Sequence, residues 1–202
     1  MTSAVCMVLR KTPFQESSLI IACVGPTCGR IDFLMKGASA IGRKKFPLAG
    51  LFRELSLQFR EPRDGSSSLI CPSCAELSAS FDGIASFPES YLAACSHASF
   101  LLKNSKPMLE CQQSYDSFKR ALAMLCAGEP PLPWLSLAKL AFLHESGFLS
   151  DFSAGSPQKR AAIEGLLKCA LSGGPLPPDM TPERWARFSL WLDVVCREHL
   201  LS

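Results

Sequence analysis

The sequence predicts an α+β chain in two domains, a small five-stranded barrel or sandwich over residues 1–80 and an all-α domain over residues 81–202. Two observations carry this. Through about Ser80, short apolar runs and period-two alternation are separated by turn residues, with no helical stretch between them. From about Phe81 the apolar residues recur at helical spacing instead. Five short strands without an intervening helix bury their apolar faces only by closing or stacking on themselves.

The strands follow in order. Ala4 to Leu9 and Leu19 to Val24 are β-favouring apolar runs, and the second ends in the turn signal Gly25-Pro26-Thr27-Cys28-Gly29. Ile31, Phe33 and Met35 then alternate with Asp32, Leu34 and Lys36. Leu51, Leu55, Leu57 and Phe59 share one parity, and Glu54, Ser56, Gln58 and Arg60 take the other. After the polar turn from Pro62 to Ser68, Leu69 to Leu77 supplies a fifth strand.

The helices follow. Tyr91, Leu92, Cys95, Ser99 and Leu102 form a first stripe, with Ser86 and Glu89 at the spacing of a capping box. Tyr115, Phe118, Leu122 and Leu125 form a second stripe, broken by Gly128 to Pro133. Trp134 to Ser146 is apolar on most faces, as suits a buried central helix, and Gly147 suits its C-terminal end. Ser156-Pro157 opens a fourth helix with Ile163, Leu166, Leu167 and Ala170. Thr181-Pro182-Glu183 opens a fifth with Trp185, Phe188, Leu192 and Val195 inward.

Composition excludes several classes. Of the 202 residues 48% are hydrophobic, ample for a core, and 19% are charged, which argues against global disorder. No apolar run is long enough to span a bilayer, and no secretion signal opens the chain, so a cytoplasmic location is expected. The ten cysteines are read as free thiols in a reducing compartment. The net charge of +3 is uneven: ten basic against six acidic residues through Ser80 give +4 and leave −1 for the rest. A basic first part suggests an anionic partner.

Lys36 to Lys45 joins the third and fourth strands and combines small residues with Lys36, Arg43, Lys44 and Lys45. Such cations neutralise phosphates, and loops flanking an oligonucleotide-binding barrel clasp a strand; the competing reading is a solvated loop. With Arg30 after its turn and Arg53 early in the fourth strand, these six cations form the candidate nucleic-acid surface, for DNA or RNA. Lys and Arg without a recognition helix or stacked aromatics are expected to contact phosphates, with little base readout. Cys71-Pro72-Ser73-Cys74 has half of a zinc site's spacing and lacks the other half. No nucleophile elbow, phosphate loop or metalloprotease motif is present, and His144-Glu145 reads as a helix terminus, so no catalytic residue, metal or cofactor is expected.

Pro13-Phe14-Gln15-Glu16-Ser17-Ser18-Leu19-Ile20-Ile21, then Gly29-Arg30-Ile31, then Lys36-Gly37-Ala38 with basic residues following, resembles the RecO family of recombination and repair mediators. Cys28 stands where a His is common in that family. Gly147-Phe148 after the central helix resembles the family's helical domain, whereas the four-Cys zinc element common soon afterwards is absent from Asp151 to Gln158, as in a trimmed, zinc-free member. The basic residues of the family's central helix are also replaced here by Trp134, Leu135 and Ser136. The resemblance implies an oligonucleotide-binding (OB) barrel, no enzymatic activity, and binding and annealing of single- and double-stranded DNA. It also implies action with RecR in loading RecA onto DNA coated by the single-stranded-DNA-binding protein. That protein's acidic, apolar C-terminal tail is expected to dock on the helical domain, with Lys119, Arg120 and Lys139 as the available cations. The alternatives are an RNA-binding barrel, distinguished by dependence on the 2′-hydroxyl, and a helical interaction scaffold without DNA binding.

Overall fold

The computed structural model describes residues 1–38, 48–60, 69–149, 157–199 and 201. By backbone contacts the chain divides into two compact units. The first holds Met1–Gly83 and Ser105–Glu110, the second Ile84–Asn104 and Cys111–Ser202.

The first unit is one five-stranded antiparallel sheet: β1 (Thr2–Phe14), β2 (Ser18–Gly25), β3 (Gly29–Met35), β4 (Arg53–Phe59) and β5 (Cys74–Ser80), in the order β3-β2-β1-β4-β5. Alternation packs Cys6, Val8, Ile21, Cys23, Phe33, Leu55, Leu57 and Phe59 into one buried cluster. The Phe33 and Phe59 rings meet edge to face at 5.2 Å.

β1 is longer than its apolar run. Its first half pairs with β4, while Arg10 to Phe14 pair with β2 as far as Ser18. Backbone pairing thus extends the strand through residues whose side chains are mostly exposed. The register slips between Val8 and Arg10, a β-bulge. The fifth strand starts at Cys74 rather than Leu69, because Pro72 lacks the N–H that a ladder needs. Ile70 instead forms an isolated parallel bridge with Phe33, and its carbonyl accepts the Leu34 N–H at 2.8 Å.

In the second unit, a 3-10 turn (Asp82–Ser86) that starts at the end of the first leads to α1 (Pro88–Asn104), α2 (Gln112–Cys126), α3 (Pro131–Glu145), α4 (Pro157–Ser172) and α5 (Pro182–Glu198). Ser86 belongs to the 3-10 turn and α1 begins at Pro88, so the Ser86–Glu89 capping box is not used; proline's fixed φ suits a first helical position. α3 packs against α1, α2, α4 and α5, and its apolar residues are buried on nearly all sides, as a central helix requires. Gly147 closes it at φ 77°. The Gly147 N–H donates to the His144 carbonyl at 3.0 Å and the Phe148 N–H to the Leu143 carbonyl at 2.9 Å. Thr181 caps α5, its side chain accepting from the Arg184 N–H. No helix among the described residues is long and apolar enough to cross a membrane.

Candidate nucleic-acid interface

Phe33, with Ile31 and Met35, faces the core of the first unit, so the even positions of β3 occupy the opposite face: Arg30, Asp32 and Leu34, with Lys36 just beyond the strand. Six residues of strand separate Arg30 from Lys36 by about 20 Å, about six phosphates along one strand of B-form DNA. Arg30 pairs with Asp32 at 3.3 Å, both side chains over a third exposed. The pair is half-buried, and the second Asp32 carboxylate oxygen is buried without a hydrogen-bond partner. Lys36 is exposed. Arg43, Lys44 and Lys45 lie outside the described residues.

Arg53 sits otherwise than expected. Its side chain is 11% exposed and turned to Asp82, whose carboxylate accepts from Nε at 3.0 and 3.1 Å and also from Nη2. Those hydrogen bonds hold the Arg53 guanidinium charged and the Asp82 carboxyl below the usual carboxylate range. The parity that aligns Arg53 with Leu55 carries it into packed surroundings, where a bidentate carboxylate satisfies it. It is an internal pair of the first unit, not an open cation.

Two cations join the face that alternation did not place there. Strict period two puts Arg10 with the inward Cys6 and Val8. The bulge after Val8 pairs Arg10 with Ala22, which pairs with Asp32, so Arg10 lies in one row with Asp32, across the buried Ala22, on the sheet face opposite the Phe33 cluster. It is exposed, two strands or about 10 Å from Asp32. Lys106 arrives through residues 105–110: its carbonyl accepts the Arg30 N–H at 3.3 Å, and the Met108 N–H donates to the Cys28 carbonyl at 2.9 Å. Gly29 permits this docking. Its φ is 61°, and a Cβ there would lie 2.2 Å from the Lys106 carbonyl oxygen. No local signal marks this contact in the sequence.

Of the three cations expected at a partner site, only Lys139 lines the cavity of the helical unit. Arg120 donates to the Ala170 carbonyl at 2.8 Å and the Leu171 carbonyl at 3.5 Å, satisfying the C-terminal end of α4. Lys139 lines a cavity of about 460 Å³ with His97, Phe100, Leu132, Leu135 and Ser136, a set that includes neither Lys119 nor Arg120. The Lys139 ammonium bonds Asp193 of α5 at 2.7 Å and lies 5.2 Å from the centre of the Phe100 ring. His97 is buried between the Phe100 and Phe118 rings, at 5.8 and 4.9 Å, with no hydrogen-bond partner for Nε2. Burial, with a smaller contribution from the Lys139 charge, lowers its pKa to about 3, so the ring is neutral at pH 7.

The remaining candidates resolve into structure. Glu145 ends α3 and caps α2: its carboxylate accepts the Gln113 and Ser114 N–H groups, each at 2.9 Å, and the Ser114 hydroxyl. Cys111, the residue at the cap position, makes no side-chain cap bond, so a neighbouring helix provides what the local sequence lacks. His144 meets Gln113 Oε1 at 3.0 Å beside it. Among the described residues no group of three or more His, Cys, Asp or Glu is arranged to hold a metal. Burial raises the pKa of the Cys23 thiol, and that of Cys28 to about 11, so both stay protonated.

No protein-family model matches the chain. Among proteins of known name it is similar to the DNA repair protein RecO of Hahella chejuensis (strain KCTC 2396), with 29% identity over 152 residues, which cover 74% of this chain. The matched stretch spans 60% of that relative's length. The similarity supports the RecO family, and a five-stranded antiparallel sheet followed by helices is consistent with it.

Proposed function

We propose that this chain is a RecO-type DNA-binding repair and recombination protein, non-catalytic and cytoplasmic, with a barrel-shaped DNA-binding domain over residues 1–80 and a helical domain over 81–202. The observation that carries the reading is the similarity to a DNA repair protein. The placement of Arg10, Arg30 and Lys36 on and beside the sheet face opposite the Phe33 cluster, with the Lys106 backbone bonded to Arg30, agrees with it. Closure of the sheet as an OB barrel belongs to the same reading, supported by the parallel bridge between β3 and Ile70, the segment just ahead of β5.

In this reading, Arg10, Arg30, Lys36 and Lys106, with Arg43, Lys44 and Lys45, contact phosphates of single- and double-stranded DNA. Neutralising two polyanions on one surface lets complementary strands approach and anneal without bond chemistry. Arg53, occupied by Asp82, is not among the contacts. RecR and the single-stranded-DNA-binding protein are the partners in RecA loading. The latter's acidic, apolar tail is assigned to the cavity beside Lys139, whose apolar walls suit aromatic side chains and whose ammonium can exchange Asp193 for the tail's carboxylate.

A titration with single- and double-stranded DNA across several salt concentrations tests the reading, followed by strand annealing with and without the single-stranded-DNA-binding protein. Sequence-tolerant affinity that falls steeply with salt is expected. A folded protein without salt-dependent DNA affinity overturns it in favour of a helical scaffold. A strong preference for matched RNA overturns it in favour of an RNA-binding barrel.

A further inference from the structure

All ten cysteines are free thiols, and only Cys71 and Cys74 are exposed. The other eight are wholly or partly buried. The exposed pair is separated by Pro72 and Ser73, and both line one small cavity of about 230 Å³ against Leu34, Met35 and Lys36. The chain bends at Ser73, where the backbone N–H and the hydroxyl both donate to the Gln58 carbonyl, at 2.7 and 3.0 Å. Pro72 fixes its own φ just before the bend. The pair is therefore held on a pinned bend, open to small solutes, at the point where the chain enters β5.

We propose that Cys71 and Cys74 are a peroxide-sensitive dithiol that closes to an intrachain disulfide. One thiolate attacks an oxygen of a hydroperoxide; an S–O bond forms as the O–O bond breaks, and the alkoxide leaves as the alcohol, or as water from hydrogen peroxide. The second thiol then attacks the sulfenic sulfur. The S–S bond forms, the S–O bond breaks, and hydroxide leaves with the thiol's proton as water. Two thiols lose two electrons and the hydroperoxide gains them. A dithiol reductant reverses the step by exchange. Accessibility separates this pair from the rest: burial raises the pKa of the Cys23, Cys28, Cys95, Cys169 and Cys196 thiols and holds them in the unreactive protonated form.

The test uses the full reduced chain, treated with hydrogen peroxide in equimolar steps, quenched, denatured, alkylated and mapped by mass spectrometry. The expected first product is the monomer lighter by two hydrogens, with a disulfide in the Cys71–Cys74 peptide, the other eight thiols alkylated, and full recovery after dithiothreitol. In Cys71→Ser, Cys74 is expected to stop at a sulfenic acid trapped by dimedone; the wild-type map stands whether or not that variant folds. Three outcomes overturn the proposal: oxidation of another cysteine before this pair, an interchain dimer in place of the intrachain bond, or a sulfenic acid persisting in wild type beside an unreacted thiol. None depends on DNA binding, so failure here is distinct from failure of the functional reading.

Discussion

Replacing His97 should change how stability depends on pH. The ring is buried, its Nε2 has no partner, and Lys139 stands on the same cavity wall. Its folded pKa is about 3 against 6.5 for the free side chain. The unfolded chain therefore binds a proton below pH 6.5 that the folded protein refuses. Stability from this group is fully present above 6.5 and falls as pH drops through the window between 6.5 and about 3. Between pH 7 and pH 5 the loss is about 2 kcal/mol, since each pH unit below the unfolded pKa costs about 1.4 kcal/mol. His97→Leu keeps a similar volume and removes both the titration and the unpartnered nitrogen. Its stability at pH 7 should equal or exceed that of the wild type. Urea unfolding of both proteins at pH 7, 6 and 5 measures the difference and cancels the carboxylates they share. Parallel losses in the two proteins would refute the assignment of a neutral, buried His97.

Other outcomes follow from the same geometry. Glu145→Ala should cost about 2 kcal/mol, because a charge-assisted cap at the start of α2 is removed while Ser114 stays buried; urea unfolding checks it, and Gln113→Ala at the neighbouring exposed position should cost far less. Replacing Arg43, Lys44 and Lys45 together by Ala should flatten the log–log salt dependence of DNA affinity by about two units, and Arg10→Ala by about one, read by titration with circular dichroism as the folding control. Lys139→Ala should weaken binding of a fluorescent tail peptide of the single-stranded-DNA-binding protein roughly tenfold, about 1.4 kcal/mol, whereas unchanged anisotropy curves would remove the tail from that cavity. Protein purified without chelator should carry no stoichiometric zinc by elemental analysis.

Local periodicity was enough to find most elements. Val8, Ile21, Phe33, Leu55 and Leu57 alternate and are buried together, and the stripes through Phe118, Leu140 and Leu192 face the core of the helical unit. The turn at Gly29 and the helix end at Gly147 were legible because positive φ favours glycine. The basic character of the first 80 residues, and the motifs from Pro13 to Ala38 that resemble the RecO family, are likewise properties of the chain itself.

What only the tertiary structure decided are the places where one segment completes another. A single extra residue at the β1 bulge reverses parity and turns Arg10 from the parity of Cys6 and Val8 onto the face that carries Arg30 and Asp32. Asp82, 29 residues away in sequence, satisfies Arg53 where strand parity buries it. Residues 105–110 return to the β2–β3 turn and bring Lys106 to Arg30. Glu145 satisfies α2 from the end of α3, and Asp193 claims Lys139 from α5. Alternation and propensity are set by neighbours along the chain, so sequence displays them. Register slips and the pairing of a charge or an unsatisfied N–H with a distant partner depend on which segments the packed core brings together, and no local pattern carries that information.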